Sequence, residues 1–358
     1  MVDTTELMRT LSEASGVSGY EHGVRELVRD AMQPFADEMR EDALGNLIAL
    51  RPGERKPDAP KRAIMLAAHM DEIGLMVTGF EDGFLRFRNV GGVDLRTIVG
   101  QEVVVHGDAA LPGIIASRPP HVLSAADRQK ALPLEQLFID LGLPEEALRK
   151  RVHIGDLITL QREFTPLANG YASGKALDDR AGVASLVVCL DELRSLRHSF
   201  DVYAVATTQE EVGLRGATVS AYGLAPDLAI AVDVGFGKQQ GVSDSKTIEM
   251  DGGPAVALGP NIHPKMHAGL LSVAKKFELK HQTEVVAGAS GTDGWAIQVS
   301  REGVPTAVLS IPLRYMHTSV ETICIRDIER TGRLMALFIA SLDEQWLVEQ
   351  GLVKGETA

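Results

Sequence analysis

Four short runs along the chain are almost wholly apolar, and they mark the centre of the predicted fold. They cover residues 63–68, 202–208, 228–232 and 307–311. A continuous apolar run, as opposed to an alternating one, is typical of a strand that is buried on both faces of a sheet. A further strand is predicted at 46–50, where Arg51-Pro52-Gly53 ends it.

Helical patterns separate these runs. They occupy residues 5–14, 22–35, 179–196, 265–277 and 325–342. Residues 22–35 and 179–196 carry apolar side chains at the spacing of an amphipathic helix. Strands that alternate with helices indicate an α/β fold, in which a mostly parallel sheet carries helices on both faces.

Residues 73–165 interrupt this alternation. They are rich in glycine and contain short β-like runs, with one short helical candidate at Leu134–Leu141. The change in pattern predicts a small β-rich domain inserted into the α/β domain. We therefore predict a catalytic α/β domain formed by 1–72 and 166–358 and an inserted β-rich domain formed by 73–165.

Composition and charge exclude several classes of partner. The chain has 358 residues, and its formal net charge of −13 disfavours binding to nucleic acid or to an anionic membrane. No apolar stretch reaches the ~18 residues that a membrane span needs, and residues 1–6 lack the features of a signal peptide. The two cysteines, Cys189 and Cys324, lie in apolar contexts. We therefore expect no disulfide framework and a cytoplasmic location.

Polar side chains follow the buried strands at the points where the strands end. The candidates are His69, Asp71, Glu210, Glu211, Asp233 and His317, together with Asp178 at the start of a predicted helix. Ligands of open α/β sheets bind at the carboxyl ends of the strands, so we expect these side chains to converge. Taken singly, Glu210-Glu211 is also typical of a solvated loop and Asp178-Asp179 of a helix N-cap. The joint pattern favours a site.

The convergent set is richer than a mononuclear zinc site needs. It suits two divalent metal ions about 3.5–4 Å apart, which share a carboxylate and activate a water. Imidazole and carboxylate ligands fit Zn²⁺, Co²⁺ or Mn²⁺. One residue of the Glu210-Glu211 pair can bind metal while its neighbour acts as general base. Asp71 is predicted to hydrogen-bond the second ring nitrogen of His69 and orient it.

Five motifs carry a resemblance to a known family. They are residues 69–74 (HMDEIG), 175–182 (KALDDRAG), 209–213 (QEEVG), 232–234 (VDV) and 314–318 (RYMHT). In this order they resemble the motifs of the tetrahedral (TET-type) aminopeptidases, which include glutamyl and deblocking aminopeptidases. The match runs across nearly the whole chain, from residues 15–21 (SGVSGYE) to the last helix.

The resemblance implies a role for each candidate. His69 and Asp233 would hold one metal ion, Glu211 and His317 the other, and Asp178 would bridge the two through a cis peptide to Asp179. Glu210 would be the general base and acid. The inserted segment resembles the family's dimerisation domain, and the family commonly forms hollow dodecamers, which implies a homo-oligomer.

The sequence therefore predicts a cytoplasmic di-metal aminopeptidase that removes N-terminal residues from short peptides. A deacylase or a carboxypeptidase on the same scaffold is a second hypothesis. Arg180 and Arg314 lie near the motifs and could clamp a free carboxylate, as a carboxypeptidase requires. A non-catalytic assembly protein is a third hypothesis, against which the intact set of ligands and acid–base residues argues.

Overall fold

A computed structural model describes residues 2–55, 59–122, 124 and 132–352. The strands in these ranges are β1 (Glu38–Glu41), β2 (Leu47–Arg51), β3 (Ala63–His69), β4 (Gly74–Glu81), β5 (Phe84–Val90), β6 (Glu102–His106), β7 (Ala110–Ser117), β8 (Leu137–Asp140), β9 (Leu157–Leu160), β10 (Thr165–Pro166), β11 (Tyr171–Gly174), β12 (Asp201–Thr207), β13 (Leu228–Phe236), β14 (Ala255–Leu258), β15 (Gln282–Val285), β16 (Thr306–Arg314) and β17 (Glu321–Cys324). The helices are α1 (Thr4–Glu13), α2 (His22–Met32), α3 (Leu95–Ile98), α4 (Glu145–Arg151), α5 (Leu177–Leu193), α6 (Arg215–Leu224), α7 (Pro264–Lys276), α8 (Asp293–Ile297), α9 (Ile325–Ala340) and α10 (Glu344–Gln350).

The large sheet is mixed, which corrects the prediction of a mostly parallel sheet. Its main path runs β1-β2-β12-β3-β13-β16-β17-β11-β10, and β14 and β15 branch from β16. Only the centre, from β12 through β3 and β13 to β16, and the pair β14–β15 are parallel. The flanks are antiparallel, and several of their strands are too short to have a clear apolar pattern in the sequence.

Helices cover both faces of this sheet. On β3, Ile64, Leu66 and Ala68 pack into the core formed with α1, α2, α5, α7 and α9. The alternate residues Met65 and Ala67 pack into the core formed with α6 and α8. Because successive side chains of a strand point to opposite faces, a continuous apolar run is needed to fill both cores.

The strands between residues 74 and 160 close into a barrel, within the predicted insertion of 73–165. Their order is β4-β5-β8-β7-β6-β9. Most of the helix predicted at Leu134–Leu141 is wrong: Leu134–Gln136 forms one 3-10 turn, but β8 occupies Leu137–Asp140 and pairs with β5 and β7. Leu137 and Ile139 point into the barrel core, an alternation that a strand allows and a helix does not. The α-helices of this segment are α3, before this point in the chain, and α4, after it.

The parallel centre of the large sheet brings strand ends together. His69, the last residue of β3, pairs with Thr207, the last residue of β12. On the other side, Asp233 of β13 lies opposite Ser310 of β16. No helix in the described ranges has the length and apolar character needed to cross a membrane.

Candidate active site

His69 and Asp71 form one wall of a buried cluster at this edge of the sheet. Nε2 of His69 lies 3.1 Å from Oδ1 of Asp178, and Nδ1 lies 3.4 Å from Oδ1 of Asp71. Asp71 also accepts hydrogen bonds from the backbone N–H groups of Glu210 and Glu211, at 3.1 and 3.2 Å. Nδ1 of His69 also lies 3.2 Å from the backbone carbonyl oxygen of Asp71, so Asp71 orients the imidazole with both its carbonyl and its carboxylate, and its fully buried carboxylate anchors the loop that follows β12.

Asp178 lies between two imidazoles and offers one oxygen to each. Its Oδ1 faces His69, and its Oδ2 lies 3.3 Å from Nε2 of His317. The same nitrogen of His317 lies 3.4 Å from Oε1 of Glu211. The Asp178–Asp179 peptide bond is cis, as the family resemblance implies.

Two sets of ligand atoms in this cluster are close enough to hold metal ions. The first set is His69, Asp178 and Glu211, and the second is His69, Asp179 and Asp233; within each, the ligand atoms lie within 4.8 Å of one another. Asp179 was not predicted as a ligand. Its carboxylate already accepts hydrogen bonds from the backbone N–H groups of Gly182 and His69, so we interpret it as a support for the loop.

The inserted barrel reaches the site through Gly91 and Gly92. Nδ1 of His317 donates to the carbonyl oxygen of Gly92 at 3.0 Å, which leaves Nε2 free to face Asp178. A Cβ on Gly92 would lie 2.7 Å from that Nδ1, and a Cβ on Gly91 would lie 3.4 Å from Glu211. Glycine at these positions therefore lets the barrel backbone approach the cluster.

The charges of the cluster fit a group of high positive charge. Burial and the neighbouring carboxylates raise the pKa of Glu210 to about 10 and place the pKa of Asp233 well above its ordinary value. Hydrogen bonds with Asp178 and Glu211 raise the pKa of His317 to about 11. Each shift shows that the site favours added positive charge, which divalent cations would supply.

Several supporting residues were missed by sequence reasoning. Glu321 of β17 is buried and accepts from the backbone N–H groups of Leu177, Asp178 and His317, at 2.8, 3.1 and 2.7 Å. Glu321 therefore ties the segment that carries Asp178 to the loop that carries His317. The available signal was a glutamate directly before the apolar run Thr322–Ile325. Glu21, the last residue of the motif at 15–21, accepts a hydrogen bond from the backbone N–H of Gln209.

The cluster opens into a cavity of about 270 Å³. All five predicted metal ligands and Glu210 line it, whereas Asp71 lies behind them with no exposed surface. Ser290, Gly291 and Thr292, from the glycine-rich segment 288–294 (GASGTDG), also line it. Phe236, Val286 and Val308 are among its apolar walls.

Comparison with known proteins identifies the family. The family described as M42 glutamyl aminopeptidase matches residues 45–334. The chain therefore belongs to the M42 aminopeptidase family, and it is an aminopeptidase that hydrolyses peptide bonds. This confirms the family resemblance predicted from the motifs. M42 peptidases are metal-dependent, and the chain has groups of residues that could hold metal ions.

Individual relatives cover the whole fold. A lysyl aminopeptidase of Pyrococcus furiosus is 39% identical over 348 residues, which are 96% of this chain and 98% of the relative. A TET aminopeptidase from a marine sediment archaeon of the Thaumarchaeota has a TM-score of 0.91 at 34% identity, covering 98% of this chain and 99% of that one. The TET1 peptidase of Pyrococcus horikoshii, which can assemble into a tetrahedron or a large octahedral shell, has a TM-score of 0.83 at 32% identity and covers 95% and 100%.

Proposed function

We propose that this aminopeptidase works with two divalent metal ions that Asp178 bridges. The position of Asp178 supports the proposal, because its two oxygens face His69 and His317 separately. His69 and Asp233 would hold one ion, and Glu211 and His317 the other. Zn²⁺ fits these nitrogen and oxygen ligands, and Co²⁺ or Mn²⁺ would fit them as well.

Bound cations would polarise the scissile carbonyl and lower the pKa of the attacking water. Glu210 lines the cavity without belonging to either ligand set, so its carboxylate is the base that takes a proton from the water. Glu210 then returns this proton to the leaving amine. Asp71 keeps both the general base and His69 in place through its hydrogen bonds.

The cavity does not suit a carboxypeptidase. Within the described ranges, no lysine or arginine lines it, so a free substrate carboxylate would find no cationic clamp. Arg180 is fully buried and donates to the backbone carbonyls of Met70 and Leu11. Arg314 donates to the carbonyl of Lys238 and also lies outside the cavity lining.

We further propose short peptides as substrates, a cytoplasmic location and a homo-oligomer. The cavity is small and lies at the edge of the sheet beside the barrel, which suits a free peptide end. The oligomeric relative from Pyrococcus horikoshii supports self-association. The inserted segment 73–165, which contains the barrel, is the proposed dimerisation domain, and a dodecamer is the proposed assembly.

Glu210→Gln tests the proposed chemistry. We expect this variant to lose turnover on aminoacyl substrates while it retains the metal content of the wild-type protein, because Gln cannot accept the proton. Asp178→Asn is the matched comparison, which we expect to lose both activity and metal. EDTA should stop the wild-type reaction, and Zn²⁺ or Co²⁺ should restore it. Full activity of Glu210→Gln would exclude Glu210 as the base.

A further inference from the structure

Glu284 lies in the catalytic cavity but belongs to neither set of ligand atoms. It is a half-buried residue of β15, the strand that branches from the large sheet next to β14. Its Oε2 accepts a hydrogen bond from Oγ of Ser310 at 2.5 Å. A carboxylate has about four acceptor sites, so most of its capacity remains open.

Glu284 is separated from the catalytic cluster by Ser310, which lies between Asp233 and Glu284. Ser310 lies opposite Asp233 in the parallel register of β13 and β16, and neighbouring strands are ~4.8 Å apart. Gly235 keeps a side chain out of the space next to the carboxylate. A Cβ at that position would lie 3.5 Å from Oε1 of Glu284 and 2.9 Å from Cβ of Ser310.

Glu284 has no cationic partner in the described part of the chain. The ion pairs found there do not include it, and the only bases that line the cavity are His69 and His317, which belong to the catalytic cluster. Two divalent ions would balance the charges of the four other acidic residues that line the cavity, which are Asp178, Glu210, Glu211 and Asp233. The charge of Glu284 would then remain as the uncompensated one in the cavity.

The walls beside Glu284 are apolar. Val286, Val308 and Phe236 line the cavity near the strands that carry Glu284 and Ser310. Apolar walls that end in a carboxylate match a long side chain with a methylene stem and a cationic head. Such side chains belong to lysine and arginine.

We propose that Glu284 selects substrates whose N-terminal residue is lysine or arginine, by pairing with the cationic head of that residue. The inference rests on the proposed function, since the catalytic cluster fixes the position of the scissile carbonyl. The α-amine of a substrate is one carbon away from that carbonyl and therefore stays at the cluster. Of the groups of the substrate's N-terminal residue, only the side chain extends from the cluster to Glu284.

A panel of aminoacyl p-nitroanilides tests this assignment. It contains lysine, arginine, glutamate, leucine and norleucine, the last being a neutral counterpart of lysine. For the metal-loaded wild-type enzyme we expect kcat/KM to be highest for lysine and arginine. In Glu284→Gln, the ratio of kcat/KM for lysine to that for norleucine should fall about 10- to 100-fold, the usual value of a charge-assisted hydrogen bond. Glu302→Gln removes an exposed glutamate outside the cavity and is the matched control.

The outcomes separate this inference from the proposed function. A wild-type preference for glutamate or leucine would overturn the role of Glu284 alone, as would an equal loss on every substrate in Glu284→Gln. No cleavage of any substrate after loading with Zn²⁺, Co²⁺ or Mn²⁺ would overturn both. If Glu284→Gln fails to fold, inhibition of the wild-type enzyme by lysine amide and norleucine amide decides, and lysine amide must bind more tightly.

Discussion

Replacing Gly92 by alanine would test how the barrel supports the active site. The new Cβ would lie 2.7 Å from Nδ1 and 2.9 Å from Cε1 of His317. Ordinary contact begins at 3.4 Å, so the imidazole must move by about 0.7 Å. The φ of Gly92 lies outside the left-handed region, so alanine adds this contact without backbone strain.

The movement should reach the proposed ligand nitrogen. Nδ1 of His317 would lose its 3.0 Å hydrogen bond to the Gly92 carbonyl, and Nε2 would leave its place 3.3 Å from Asp178. Loss of a partner that orients a metal-binding histidine costs about 10- to 100-fold in metal affinity or activity. We therefore expect weaker binding of one metal ion, with activity partly restored at excess metal.

The assay is metal content after dialysis against buffered free Zn²⁺, together with kcat/KM over the same range. Gly79→Ala is the control, because it also adds a methyl group to the barrel but meets only Cβ of Arg86, at 3.9 Å. A folded Gly92→Ala protein with wild-type metal affinity and wild-type activity would refute the assigned role of the barrel.

Three further predictions concern groups around the site and the core. Glu321→Gln leaves at least one buried N–H without its acceptor, which should cost about 1–3 kcal/mol of stability and lower metal content; unchanged calorimetry and metal content would contradict this. Lys175→Met removes the 2.8 Å partner of the buried Glu72 and leaves it the Gly16 N–H at 2.9 Å and Arg180 at 3.8 Å, so it should cost at most about 3–5 kcal/mol, whereas Glu72→Gln added to it should recover part of the loss in denaturant unfolding. Burial holds the pKa of His198 below 6.5, so its contribution to stability is present above that pH and is lost as the pH falls. His198→Asn should therefore flatten the dependence of unfolding free energy on pH between about 7 and about 5, and an unchanged slope would exclude His198.

The sequence predicted the central strands and the residues that meet at their ends, because there the local apolar pattern determines the position in the fold. Continuous apolar runs identified the central strands, and the residues after them meet because parallel strands end at one edge. The structure links His69 to Asp178, Asp178 to His317 and His317 to Glu211 through contacts of 3.1, 3.3 and 3.4 Å. Their roles in metal binding remain predictions from the family resemblance.

Contacts between distant segments were not predictable from the sequence. Strand β17 is short, so the pattern around Glu321 did not show that its carboxylate would meet three backbone N–H groups. The same holds for Glu284, whose position follows from a strand that branches off the sheet. The error at Leu134–Leu141 has a different cause, since a short run with mixed spacing fits both a helix and a strand.

The chain leaves the large sheet for the barrel just after Asp71 and Glu72, since β4 begins at Gly74. Glu72 is held by Lys175 at 2.8 Å and by the backbone N–H of Gly16 at 2.9 Å, so the chain leaves the large sheet through a fixed point. The barrel then returns to the site at Gly92, which orients His317. The contacts of Glu72 and the hydrogen bond between Gly92 and His317 hold the barrel at two points beside the active site. The barrel backbone is therefore part of the active-site structure.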